Sequence, residues 1–138
     1  MFDQKTRATQ AFDRMLNRTF WRKLLSIGQD TDLKSFDQIN QIVGTGSRHS
    51  RGLKVIPVSA IVGSVSDNQN FDDQFNPRRK QSRERWVRVY LAFIHDDQIP
   101  PIDVYKVGQA YYIVDGHHRV SVARAIGQHM IEANVMEI

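Results

Sequence analysis

Hydrophobic residues recur every three or four positions near the start of the chain, which predicts a helix over residues 4–27. The apolar positions of this stripe are Phe12, Met15, Leu16, Phe20, Leu24 and Ile27. Gly28 provides a stop signal, and a second short helix fits Phe36–Val43, capped by Ser35. The apolar side of the first helix predicts packing either on the sheet of the same chain or against a second copy in a homodimer.

Beyond this arm, the patterns of strand and helix alternate. The predicted strands are Leu53–Ile56, Ile102–Val107, Ala110–Val114 and His129–Ile138. Val58–Ile61 predicts a short turn of helix or a bend that ends at Gly63, and residues 64–80 predict a long loop. Helices are predicted over Ser82–Asp96 and from Gly116 to Gly127. We therefore expect an α/β (α+β) domain with a small mixed sheet over residues 51–138, after a helical arm over residues 1–50.

Composition limits the class of protein. The chain is 41% hydrophobic and 25% charged, as is ordinary for soluble globular proteins. It has no apolar run of the roughly 20 residues that span a bilayer, and its first residues do not resemble a signal peptide. The absence of cysteine excludes disulfides, thiolate metal sites and cysteine nucleophiles. These features predict a cytoplasmic protein without a membrane partner.

Positive charge is concentrated in one segment of a chain whose formal net charge is +4. The cations of this segment are Arg78, Arg79, Lys80, Arg83, Arg85 and Arg88. Arg78, Arg79, Lys80 and Arg83 can grip the phosphate backbone of DNA or RNA. The same residues equally fit a solvated helix face, and Arg78 or Arg79 can also reach the terminal phosphate of a small ligand.

The string Asp115-Gly116-His117-His118-Arg119 joins a predicted strand to a predicted helix. The first N–H groups of a helix lack intrahelical partners and lie at its positive end, so this junction favours an anion. Gly116 permits a tight turn, and Arg119 can donate to two phosphate oxygens. His117 or His118 can move a proton, while Asp115 can hold magnesium, orient a histidine or cap the helix. An ordinary capped turn remains an alternative.

A transition-metal site is not predicted. The histidines that could build one, His117, His118 and His129, lack the spacing of four residues that is typical of zinc ligands on a helix.

The motif and its surroundings resemble the ParB/sulfiredoxin superfamily over about residues 51–138. The segments that carry the resemblance are Leu53–Ile61, Val104–Val107, Tyr112–Val114, Asp115–Arg119 and Val122–Gly127. In this superfamily ParB proteins bind CTP, sulfiredoxins ATP and free-serine kinases ADP. The resemblance therefore implies a nucleotide with magnesium, bound at Gly116, His117, His118 and Arg119.

Departures from the superfamily narrow the expected activity. Sulfiredoxins carry their catalytic cysteine where this chain has His117. ParB partition proteins read Gly-Glu-Arg-Arg at the motif and continue into a helix-turn-helix domain, which we do not expect here. Free-serine kinases share the Asp115–Arg119 string, but their catalytic glutamate has no counterpart in Ile61–Ser66. The sequence outside the motif also resembles a bacterial branch of ParB-like proteins.

Three functions remain open from the sequence. The first is nucleotide binding, with activity as a phosphotransferase or a nucleotide hydrolase. The second is a nucleic-acid-binding module of ParB type without catalysis, and the third is a protein–protein adaptor.

Overall fold

The computed structural model describes residues 3–25, 47–65 and 69–138, and the backbone of residues 34 and 35. The helices are α1 (Gln4–Leu25), α2 (Arg83–Ile94) and α3 (His117–Ala125). The strands are β1 (Lys34–Ser35), β2 (His49–Pro57), β3 (Ile61–Ser64), β4 (Ile102–Val107), β5 (Ala110–Asp115) and β6 (Met130–Glu137). Val58–Ala60 and Lys80–Ser82 form single 3-10 turns. The predicted helix Phe36–Val43 lies outside the described residues.

The strands of the described chain form one mixed sheet in the order β1-β3-β5-β4-β6-β2. β3 is parallel to β1 and β5, and β4 is parallel to β6. The pairs β4–β5 and β2–β6 are antiparallel. Val107 pairs with Ala110, so the predicted two-residue turn at Gly108-Gln109 is confirmed. The predicted mixed α/β architecture is also confirmed.

The predicted short turn of helix is confirmed at Val58–Ala60, whereas strand β3 corrects the predicted bend at Gly63 and the loop predicted from residue 64. Ile61–Ser64 pair with β5 instead, and Ser64 lies opposite Ile113. A strand of four residues that contains a glycine shows too little alternation to be recognised by its pattern. Because β3 runs parallel to β5, both strands end at the same edge of the sheet, and Ser64 reaches the point where β5 leads into α3.

Buried side chains form two clusters. The larger one lies between the sheet and α3 and includes Ile102, Ile113 and Val120, each fully buried. The smaller one lies between α1 and α2, where the Phe12 and Trp86 rings meet edge-on with centroids 5.6 Å apart. Trp86 is fully buried.

Helix α1 packs against α2, and this corrects the expectation that it packs on the sheet. Its predicted stripe is covered only in the first half. Phe12 is buried and Met15 and Leu16 are partly buried, whereas Phe20 is 61% exposed and Leu24 is 46% exposed. The reason is length, since α1 has 22 residues and α2 has 12, so the second half of α1 extends beyond its partner. The homodimer through α1 remains a prediction.

Candidate functional site

Gly116 makes the junction between β5 and α3. Its φ of 120° lies in the region that L side chains rarely adopt, and the residue is buried. A Cβ at this position would lie 2.4 Å from Cγ2 and 2.8 Å from Cβ of Ile102. Glycine is therefore required both by the backbone angle and by the close approach of β4. This approach brings the first turn of α3 against the end of the sheet.

His117, the first residue of α3, is held by a serine from the neighbouring strand. Its Nε2 lies 2.7 Å from Oγ of Ser64, a fully buried residue. Ser64 Oγ is also 3.4 Å from the carbonyl oxygen of Ile113, to which it can donate. With its proton directed there, Ser64 accepts from Nε2–H of His117, and Nδ1 then carries the lone pair. The contact leaves Nδ1 of His117 for another partner, as an acceptor in this tautomer and as a donor in the other.

His118 lies beside His117 and packs against the loop that precedes α2. Its ring meets Phe71 edge-on with centroids 5.0 Å apart, and Phe71 stacks on His117 at 6.3 Å with an interplanar angle of 14°. Within the described chain, Nε2 of His118 is buried and has no hydrogen-bond partner. A buried polar atom without a partner is costly, so a hydrogen bond to this nitrogen would stabilise the site.

Burial and nearby charges keep both imidazoles neutral near pH 7. Burial lowers the pKa of His117. The charge of Asp115 partly offsets this lowering, and the charge of Arg85 adds to it. Burial, together with the charges of Arg85 and His117, lowers the pKa of His118 to about 4. Arg85 is an exposed residue in the first turn of α2. Its influence on both rings shows that a cation lies close to the start of α3.

Arg119 has contacts that the sequence did not suggest. Nη1 donates to the carbonyl oxygens of Pro100 and Pro101, both at 2.8 Å, and Nη2 donates to Oδ2 of Asp115 at 3.2 Å. The arginine side chain is 18% exposed and the aspartate side chain 66% exposed. In this arrangement Arg119 fastens the Pro100-Pro101 segment to α3, and Asp115 stays accessible at the rim of the site.

A buried carboxylate shapes the loop that carries Phe71. Oδ1 of Asp72 accepts from the backbone N–H groups of Gln74 and Asn76 at 3.0 and 2.9 Å. Oδ2 accepts from Nη1 of Arg22 at 2.6 Å, which joins α1 to the loop. Asp72 is 1% exposed, so these donors replace its water. The contacts fix the position of the aromatic ring that covers the two histidines.

The remaining predicted cations lie in the segment before α2 and at its first residue, Arg83. Arg78 lines a groove against α1, and Arg79 is exposed immediately before the 3-10 turn Lys80–Ser82. Lys80 and Arg83 line the same groove. The structure therefore places residues 115–119 in one site. Three of the four predicted nucleic-acid contacts, Arg78, Lys80 and Arg83, lie in the wall of a different cavity.

Three residues of the site, Ser64, Phe71 and Arg85, were not predicted as site residues from the sequence. Ser64 follows a β-branched pair and a glycine, a weak strand signal that becomes visible only when β3 pairs with β5. Arg85 was one cation among six in its segment, and only the fold distinguishes it from the others.

The described residues contain neither a metal-binding cluster nor a membrane-spanning helix. No group of three or more histidine, aspartate or glutamate side chains there has a geometry that could hold a metal ion. No described helix is long and apolar enough to cross a membrane.

Fold and site together define a small α/β domain with a strand–glycine–helix junction that carries two neutral histidines. The family of ParB N-terminal domains matches residues 47–138, which is more than half of the chain. The protein belongs to this family, and its predicted place in the ParB/sulfiredoxin superfamily is confirmed.

Comparison with individual proteins adds little. Among solved structures the chain is similar to sulfiredoxin from Arabidopsis thaliana, with 20% identity and a TM-score of 0.40. The match covers 60% of this chain and 82% of the sulfiredoxin chain. A comparison with curated proteins finds no match.

Proposed function

We propose that the protein binds the phosphate groups of a nucleotide at the start of α3. The observation that carries this proposal is the buried Gly116 junction, at which a Cβ would meet Ile102. The junction presents the first turn of α3 beside two histidines and next to the charge of Arg85. Helix N-termini with nearby cations favour phosphate, and membership of the ParB N-terminal domain family supports a nucleotide as its source.

Each group has a distinct role in this proposal. The backbone N–H groups of His117, His118 and Arg119 donate to phosphate oxygens, since they begin the helix. Arg85 neutralises part of the phosphate charge. Arg119 acts through the Pro100-Pro101 segment, which it holds by two hydrogen bonds to carbonyl groups. Asp115, 66% exposed at the rim, binds the magnesium ion that arrives with the nucleotide.

The histidines give the site a means of moving a proton. His117, in the tautomer protonated at Nε2, has Nδ1 as an acceptor for the proton of an attacking water or hydroxyl group. His118, beside it, is the second ring that polarises the transferred group. Nucleotide hydrolysis or phosphoryl transfer is the reaction class that fits these groups, and sulfiredoxin chemistry does not fit because the chain has no cysteine.

Calorimetric titration with CTP, ATP and ADP, each with magnesium, tests the binding step. We expect at least one of them to bind with a Kd below about 1 mM. Arg85→Ala should weaken this binding about tenfold, because it removes a charged contact. Arg88→Ala is the matched control, since Arg88 is also an exposed arginine of α2 and has no influence on the histidines. No binding of any of the three below about millimolar concentrations would overturn the proposal.

Release of phosphate or of nucleoside diphosphate tests the catalytic step. His117→Gln should lower kcat by about 10²-fold or more while the Kd of the nucleotide changes little. Ser64→Ala should shift the pH dependence of kcat, because the hydroxyl bonded to the His117 ring is gone. A protein that binds nucleotide but shows no turnover would restrict the function to binding.

A further inference from the structure

A groove with a volume of about 960 Å³ lies between α1 and the segment before α2. The charged residues that line it are Arg14, Lys23, Arg78, Lys80, Arg83 and Asp13. Helix α1 precedes residues 47–138, the part that matches the family. The groove is thus built partly from a helix that is additional to the family domain.

The charge of the groove is strongly positive. Asp13 is the one acid among the described residues that line it, and its Oδ1 accepts from Nη2 of Arg83 at 2.7 Å. Arg14, Lys23 and Lys80 are exposed to solvent. Because five cations face one carboxylate, the groove attracts an extended anion.

An aromatic face lies among these cations. Phe20 lines the groove and is 61% exposed, which is unusual for a phenylalanine in the middle of a helix. The ring of Trp21, itself 51% exposed, meets the Phe20 ring edge-on with centroids 5.7 Å apart. Because Phe20 is 61% exposed, most of its side chain remains accessible to a stacking base.

The wall of the groove is held in place by specific contacts. Thr19 Oγ1 donates to the carbonyl oxygen of Pro77 at 2.8 Å, and Arg22 of the same helix bonds Asp72 and Asp73 at 2.6 and 3.0 Å. These bonds fasten the second half of α1 to the loop that leads into the basic segment. The cations and the aromatic ring are therefore presented on a preorganised surface.

We propose that this groove binds single-stranded nucleic acid. Arg14, Lys23 and Lys80 contact the phosphates, and a base stacks on Phe20. A positively charged groove with an exposed aromatic ring is the combination that recognises an unpaired strand, because each base presents a face for stacking and each phosphate a charge. In a duplex the base faces are already stacked. The groove is separate from the site at α3, so this proposal does not depend on nucleotide binding at α3.

Fluorescence anisotropy with labelled 15-nucleotide strands, one of RNA and one of DNA, tests the proposal on the full chain. We expect binding to at least one strand, with affinity that falls steeply as salt rises from 50 to 200 mM. The triple variant Arg14→Gln/Lys23→Gln/Lys80→Gln should lower the affinity at least tenfold. It should also reduce the slope of log K against log salt by about 2, since three phosphate contacts are lost at about 0.7 each.

The control for charge is the triple variant Arg7→Gln/Arg18→Gln/Lys54→Gln, which removes three exposed cations that do not line the groove. It should change the affinity by less than threefold. Equal losses in the two triple variants would overturn the proposal, because binding would then follow net charge alone.

The aromatic contact has its own test. Phe20→Leu should weaken binding about fivefold or more at constant salt slope, because it removes the stacking face and keeps every cation. A polyglutamate peptide of equal length serves as the competing anion. No binding of either nucleic-acid strand, or displacement of the strand by this peptide at an equal concentration, contradicts the proposal and identifies the groove as a site for another class of partner.

Discussion

Gly116→Ala is expected to destabilise the protein by about 4 kcal/mol, from two separate costs. An alanine at φ 120° carries backbone strain of about 1–3 kcal/mol. Its Cβ would lie 2.8 Å from Cβ of Ile102, an atom that no rotation of that side chain can move away. The overpacking of this buried position adds about 1–3 kcal/mol.

Gly108→Ala is the matched control. Gly108 also has a positive φ of 61°, but a Cβ there would have no atom within 4 Å. It should cost only the strain of the left-handed conformation, about 1–2 kcal/mol. Equilibrium unfolding in urea, followed by circular dichroism, measures the free energy of unfolding of both variants. Two values within 1 kcal/mol of each other would refute the claim that contact with β4 requires a glycine at the site.

Two further predictions concern the histidines and the loop that covers them. Stability should fall as pH drops from 6.5 towards 4, because the unfolded chain protonates His118 near 6.5 and the folded chain only near 4. These pKa values set an upper limit of about 3.4 kcal/mol, which partial exposure reduces to about 1–2 kcal/mol, and the lowered pKa of His117 acts in the same direction. His118→Gln should remove this part of the pH dependence in urea titrations, and an unchanged pH profile would contradict its burial as a neutral ring. Asp72→Ala should cost about 3 kcal/mol in the same assay, because it leaves buried donors and Arg22 without their acceptor. Asp73→Ala, at the rim of the same contact, should cost less than about 1 kcal/mol. Equal losses would show that the buried carboxylate does not organise the loop.

Local patterns predicted the segment from β4 to α3 well. The turn at Gly108 and Gln109, the change of period after Asp115 and the closing Gly127 are signals carried by a few adjacent residues. Because backbone preferences act over such short distances, these elements and their junction could be read from the sequence.

Features that depend on distant contacts could not be read in this way. Ser64 meets His117 only because β3 pairs with β5, and Asp72 is buried only because Arg22 of α1 reaches it. The apolar stripe of α1 was real, but its second half is not covered by α2, and no local pattern reveals the length of a packing partner. Such contacts join residues that are 50 or more positions apart.

The most direct test of the central proposal is a titration of the ¹⁵N-labelled protein with magnesium and ATP, or with CTP or ADP if calorimetry favours it, followed through backbone amide shifts. A phosphate at the start of α3 predicts saturable shifts that are largest at Gly116, His117, His118 and Arg119, with smaller changes at the groove beside α1. Saturable shifts confined to that groove, with the amides of residues 116–119 unchanged, would contradict the proposed nucleotide site.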